Sequence, residues 1–189
     1  VFGMIVDALI LAGGRSSRLG GRPKSALKLD GETLLDRTLR AVRDSGVRYV
    51  VVVGDETPDG VVTVREEPAF GGPVAAVAAG LDALPGDSDA VLVLACDMPA
   101  IAEALPALLA APDVIAIDRG RAQHLAILVS TESLRAGVAA LPTVTGASMR
   151  DLLGNVAVTP AIVPAGSTDD VDTWDDAARF GIVELAGRA

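Results

Sequence analysis

A chain of 189 residues, half of them apolar and only 3% aromatic, is long enough to bury a substantial core and too apolar to be disordered. Its 16 basic residues against 25 acidic ones leave a net charge of −9, which argues against nucleic-acid or anionic-membrane binding over the whole surface. A single cysteine, Cys96, excludes an internal disulfide and gives no sign of an oxidising compartment. Residues 1–11 carry no basic n-region and contain Asp7. The expectation is therefore neither a signal peptide nor a membrane span, but a soluble cytoplasmic protein forming one domain over residues 1–189.

Val6–Leu11 reads as a first buried strand, and the segment after it is the most informative in the chain. Leu11-Ala12-Gly13-Gly14 is followed by Arg15, Arg18, Arg22, Lys24 and Lys28, and no acidic residue interrupts the chain from Ala8 to Leu29. Paired glycines let a backbone bend close to a ligand, and successive N–H groups can then cradle phosphate oxygens. Arg and Lys add charge-assisted bonds to the same oxygens. A nucleoside triphosphate suits such a loop. Gly13, Gly14, Gly20 and Gly21 do not supply the G-x-G-x-x-G spacing of a dinucleotide site, and Gly21-Arg22-Pro23-Lys24-Ser25 only echoes the end of a P-loop.

Beyond the Asp30-Gly31 turn, Leu34, Leu35, Leu39 and Val42 mark one face of a helix. Tyr49–Val53 is an uninterrupted apolar run suited to an interior parallel strand, and residues 61–65 form a shorter strand. Gly71-Gly72-Pro73 opens a helix with the stripe Val74, Val77, Ala78 and Leu81, Pro73 taking its first position. Ala90–Ala95 is a further buried strand, ending at Cys96-Asp97-Met98-Pro99. A helix is expected over 101–109, strands over 114–117, 125–129 and 158–163, and helices over 132–141, 147–153 and 174–180. Such alternation implies an α/β fold, an open and mostly parallel sheet covered by helices on both faces. Its ligands bind at the carboxyl ends of the strands, so the glycine loop and Asp97 are expected to meet at one rim.

Several residues admit two readings. Asp97 suits either a cation bridging phosphate oxygens or the cap of a helix near Ile101. The cluster Asp169, Asp170, Asp172, Thr173 either lines a site or caps the helix from Trp174. Cys96 reads as core filling, and His124, the one histidine, as a surface or strand-edge residue without a catalytic partner. Arg150, beside Ser148 and Met149, is a candidate for gripping an acceptor phosphate.

The spacing Leu-Ala-Gly-Gly, then Arg18-Leu19-Gly20, then Lys24 resembles the nucleotidyltransferase signature of the molybdenum cofactor guanylyltransferases and their relatives. Cys96-Asp97-Met98-Pro99 is similar to that family's Cys-Asp-x-Pro, whose Asp holds Mg²⁺. Glu67, ahead of Gly72-Pro73, resembles its acidic residue near the nucleotide. Asp170 and Asp172 fall where the family carries Asn-x-Asn before Thr-Pro-Glu-Asp, a departure on the acceptor side of the cleft. Carboxylates there would help to hold a metal, or would repel an anionic acceptor unless a cation intervenes.

The resemblance spans the chain from the glycine loop to Thr173 and implies a Rossmann-like three-layer α/β/α nucleotidyltransferase fold with one reversed strand. It further implies an enzyme in which an acceptor phosphate attacks the α-phosphorus of an NTP and pyrophosphate leaves. Arg18, Lys24 and Asp97 would be catalytic. Leu11, Ala12, Gly13, Gly14, Lys24, Glu67 and Asp97 would bind the nucleotide, with Mg²⁺ on Asp97. GTP and molybdopterin are the implied substrates, and molybdoenzymes or cofactor-synthesis proteins the implied partners, with no nucleic acid or membrane. CTP-dependent transfer to molybdopterin, transfer to another small phosphate, and a nucleotide-binding chaperone of a molybdoenzyme stand as alternatives.

Overall fold

A computed structural model describes residues 3–14 and 19–182. The first strand, β1 (Val6–Leu11), lies between β4 (Tyr49–Val53) and β6 (Ala90–Ala95), parallel to both. β5 (Val62–Val64) adds to the outer edge of β4. On the other side β8 (Arg121–Ser130) runs antiparallel to β6 and to β7 (Val114–Asp118), and β9 (Thr159–Ile162) pairs parallel with β7. The seven-stranded order is β5-β4-β1-β6-β8-β7-β9, with β8 the one reversed strand. A separate two-residue hairpin, β2 (Lys28–Leu29) with β3 (Glu32–Thr33), closes over Asp30-Gly31.

Alternation along each strand divides the core into two layers. Ala8, Ile10, Val52, Leu92 and Leu94 face α1 (Leu34–Asp44) and α3 (Leu105–Leu108). Leu9, Leu11, Val51, Val53 and Val93 face α2 (Pro73–Ala83), α4 (Thr131–Ala139) and α5 (Met149–Leu153). The successive side chains of β1 thus serve opposite layers, as the period of two demands, and the α/β/α sandwich follows. The expected helix over 101–109 is broken into a 3-10 turn at Ile101–Glu103 and the four-residue α3. Pro106, which lacks an N–H and is tolerated only in a first turn, restarts the helix there. No helix among the described residues is long and apolar enough to cross a membrane.

A third apolar cluster sits outside the sandwich. Leu19, Leu27 and Leu29 of the basic loop pack with Leu34, Val171, Ala177 and Ile182, against Trp174 of α6 (Trp174–Arg179). Thr173 caps α6 and forms a capping box with Asp176, which leaves the Asp172 carboxylate for other work. This cluster fastens the N-terminal loop to the C-terminal segment.

The β7–β8 turn fastens the same segment from its other end. Arg119 and Gly120 both take left-handed backbone angles between the paired Asp118 and Arg121, the geometry of a tight two-residue hairpin. Asp118, only 3% exposed, accepts from the Gly166 amide at 3.0 Å and from the Thr168 amide and hydroxyl at 3.3 and 2.9 Å. Burial alone would raise its carboxyl pKa, but these donors outweigh it and hold the carboxyl below its ordinary value. Asp118→Ala strands both amides and should cost about 1–3 kcal/mol at neutral pH. A depressed native pKa gives stability that is present above the unfolded value, about 4, and lost as pH falls through the native one. Denaturant midpoints of wild type and Asp118→Ala should therefore converge in acid; a gap independent of pH would refute the ionic part of the account.

Candidate active site

The carboxyl ends of β1 and β6 open onto a cavity of about 810 Å³. Leu11, Ala12, Gly13 and Gly14 form one side of it. The loop is drawn against β4: the Ala12 amide donates to the Val53 carbonyl at 2.8 Å. Gly54 makes this approach possible, since a Cβ there would lie 3.0 Å from the Ala12 carbonyl carbon and 3.1 Å from the Gly13 nitrogen. The N-terminus of α2, at Gly72-Pro73, faces the same space.

Three carboxylates line the same cavity. Asp97 follows β6 directly, and Asp170 and Asp172 come from the segment before α6. One oxygen from each lies within 4.8 Å of the others. The Lys24 ammonium donates to Asp97 Oδ2 at 2.7 Å and bonds Asp172 as well. Burial works against the charge on Lys24, but the field of Asp97 and the bonds to Asp172 and Asp97 outweigh it, so its pKa is held above the ordinary value. Asp170 is pushed up, first by loss of surrounding water and then by repulsion from Asp97 and Asp172. A backbone bond from the Val171 amide to the Asp97 carbonyl, 3.0 Å, sets the spacing of the group.

Three hard oxygen donors within 4.8 Å of one another fit a hard divalent cation that also binds phosphate oxygens. Asp97 is therefore no helix cap: the turn from Ile101 has Ala100 at its N-cap and no side-chain cap bond. Cys96 is buried, and burial together with Asp97 pushes its thiol up, so it is core filling and no thiolate.

Of the residues expected at the site, Leu11, Ala12, Gly13, Gly14, Lys24 and Asp97 all line the cavity. Arg18 lies outside the described residues. Glu67 is exposed and away from the lining, and its neighbour Glu66 takes the place instead. Glu66 accepts the Phe70 amide at 2.9 Å, which turns its carboxylate toward the cavity mouth. Arg150 is exposed on α5 and does not reach the lining. His124, expected at the surface, lines the cavity together with Gln123 and Leu125.

Phe70 also lines the mouth, in a left-handed conformation (φ 62°) that is costly for a bulky residue. The Arg65 guanidinium stands 5.1 Å from its ring centre and pairs with Asp55. Gln123, Leu125 and Phe70 escaped the sequence reading because nothing local marks them; a register shift between β7 and β8 and a strained turn bring them in.

Residues 8–159 match the MobA-like NTP transferase domain. A probable molybdenum cofactor guanylyltransferase of Opitutus terrae is 41% identical over 97 residues, 49% of this chain and 48% of that protein. The molybdenum cofactor guanylyltransferase of Acidiphilium cryptum is 34% identical over 132 residues, 67% of each chain. The matches span about half to two thirds of the length of these curated relatives. A nucleotidyl transferase from Methanothermobacter thermautotroptrophicus superposes with a TM-score of 0.75 over 94% of this chain and 96% of its own, at 22% identity, and so shares the fold. The domain match covers most of the sandwich and both of the strand ends that open onto the cavity, and the chain belongs to the MobA-like NTP transferase family.

Proposed function

We propose that this chain is a single nucleotidyltransferase domain that transfers GMP from GTP to the phosphate of molybdopterin. The observation that carries the reading is the meeting, in one cavity at the carboxyl rim of the sheet, of the Leu11–Gly14 backbone, the Lys24 ammonium and the Asp97, Asp170 and Asp172 carboxylates. The names of the curated relatives support the choice of substrates.

The Leu11–Gly14 backbone binds the base and ribose through its own N–H and C=O groups. An oxygen of the acceptor phosphate attacks the α-phosphorus, the bond from that phosphorus to the bridging oxygen breaks, and pyrophosphate leaves in line. Such transfer asks the protein for positioning and neutralisation of charge. Lys24 supplies a positive charge at the triphosphate, and its partners Asp97 and Asp172 keep that charge in place beforehand. Arg18 is assigned the charge that develops on the pyrophosphate. Asp97, with Asp170 and Asp172 beside it, would hold Mg²⁺, which when bound neutralises phosphate oxygens and polarises the reacting phosphorus.

Melting temperatures with GTP, CTP, ATP and UTP, each with and without Mg²⁺, test the reading. A ligand at 100 times its dissociation constant adds about 2.7 kcal/mol to the folded state, and the shift is expected for GTP with Mg²⁺. A shift with CTP alone moves the assignment to cytidylyl transfer, and none with any nucleotide removes the reading. Lys24→Ala and Asp97→Ala should each lower pyrophosphate release by roughly 10²–10³ while remaining folded; a variant keeping more than about a tenth of the activity would take that residue out of the chemistry. Asp170→Asn with Asp172→Asn should raise the Mg²⁺ needed for half-maximal turnover by about 10-fold or more. An unchanged requirement would leave Asp97 to hold the ion without them.

A further inference from the structure

The order of strands along the carboxyl rim assigns sides to the cavity. Gly54, after β4, and the Leu11–Gly14 loop, after β1, lie on one side of Asp97. The next strand beyond Asp97 is the reversed β8, whose starting end comes to the same rim. A nucleotide on the glycine loop with its phosphates at Lys24 and Asp97 therefore leaves the β8 side to whatever receives the nucleotidyl group.

That side is built irregularly. β8 pairs with β7 at Ala116–Gln123 and next at Ile115–Ile127, and its ladder with β6 begins only at Ala126. His124 and Leu125 thus belong to neither ladder. In a regular strand successive side chains alternate faces; here Gln123, His124 and Leu125 all line the cavity. Bulges of this kind re-aim side chains next to active sites. Gln123 offers a donor and an acceptor, His124 a ring with the same capacity, and Leu125 apolar ground.

The wall continues into an adjoining polar cleft of about 580 Å³ that shares Gln123, Thr168 and Asp170 with the cavity. Each space is of the size that holds one small ligand, roughly 300–1,000 Å³, so two substrates fit side by side. Within the cleft Arg119 is neutralised by a two-bond pair with Asp169 at 3.0 Å. Arg121 lines the cleft with no ion pair to any described residue.

We propose that Gln123, His124 and Arg121 form the acceptor subsite. It takes a phosphate monoester whose far end is rich in hydrogen-bonding heteroatoms and carries negative charge, which Arg121 meets. This rests on the nucleotidyl-transfer reading. Molybdopterin, with pterin heteroatoms and anionic sulfurs, has that pattern; a plain alcohol phosphate does not.

His124 is the only histidine, so the intact protein gives one set of imidazole NMR signals. With Mg²⁺ and an α,β-methylene analogue of GTP bound, addition of molybdopterin should move those signals more than the analogue did. In turnover, Arg121→Ala and Gln123→Ala should raise the KM for molybdopterin about tenfold and leave the KM for GTP within about twofold. Arg121→Lys should recover part of the loss. Larger His124 shifts with the nucleotide than with molybdopterin, or an unchanged acceptor KM in both alanine variants of an active enzyme, overturns the subsite. A wild type that binds GTP but shows neither turnover nor a His124 shift with molybdopterin overturns the acceptor class. A wild type that GTP with Mg²⁺ does not stabilise overturns the nucleotidyl-transfer reading itself, a failure visible before any acceptor is added.

Discussion

The site depends on one electrostatic constraint: three carboxylates, from Asp97, Asp170 and Asp172, meet within 4.8 Å around the ammonium of Lys24. Like charges at that separation cannot be left uncompensated. The raised proton affinity of Asp170, which comes first from burial and then from its two neighbours, includes that cost, and the raised affinity of Lys24 records the compensation. Charges this close assemble only if the backbone brings them there, so the rest of the fold can be understood as the means of doing so.

Three devices hold the group. β6 delivers Asp97 at the rim, from a strand buried over residues 90–94 and paired on both sides, where the chain has little freedom. The apolar cluster of Leu19, Leu27, Leu29, Val171 and Ala177 binds the Lys24 loop to the segment carrying Asp170 and Asp172. Asp118, buried at the β7–β8 turn, ties down Gly166 and Thr168 just ahead of that segment. Chain segments distant in sequence thus converge, and their charged groups line the cavity. The reversed strand β8 completes the rim, because only a strand of opposite direction can present its beginning where its neighbours end.

Much of this was legible beforehand. Val6–Leu11, Tyr49–Val53 and Ala90–Ala95 are unbroken apolar runs, and each became the strand expected, with the same bounds. That the glycine loop and Asp97 line one rim was legible because the loop's glycines and cations are contiguous and Asp97 follows a buried strand. Where the reading slipped, a local pattern was outweighed. Pro106 split a helix that the apolar spacing favoured. Glu66, one position before the expected Glu67, lines the cavity with its carboxylate accepting from the Phe70 amide. His124 moved from an expected edge into the cavity because β8 leaves both ladders there.

The sequence by itself determined the alternation of strands and helices, the layers those strands face, and a cationic glycine loop in an acidic chain. These rest on periodicity and composition, which act over a few neighbouring residues. Only the tertiary structure decided that Asp170 and Asp172 stand beside Asp97 and that Thr173, not Asp172, caps the last helix. It also decided that Gln123, His124 and Leu125 share a wall. Those facts depend on pairing registers and on packing between distant segments, such as Lys24 and Asp172, separated by 148 positions, and no local pattern in a single sequence encodes them.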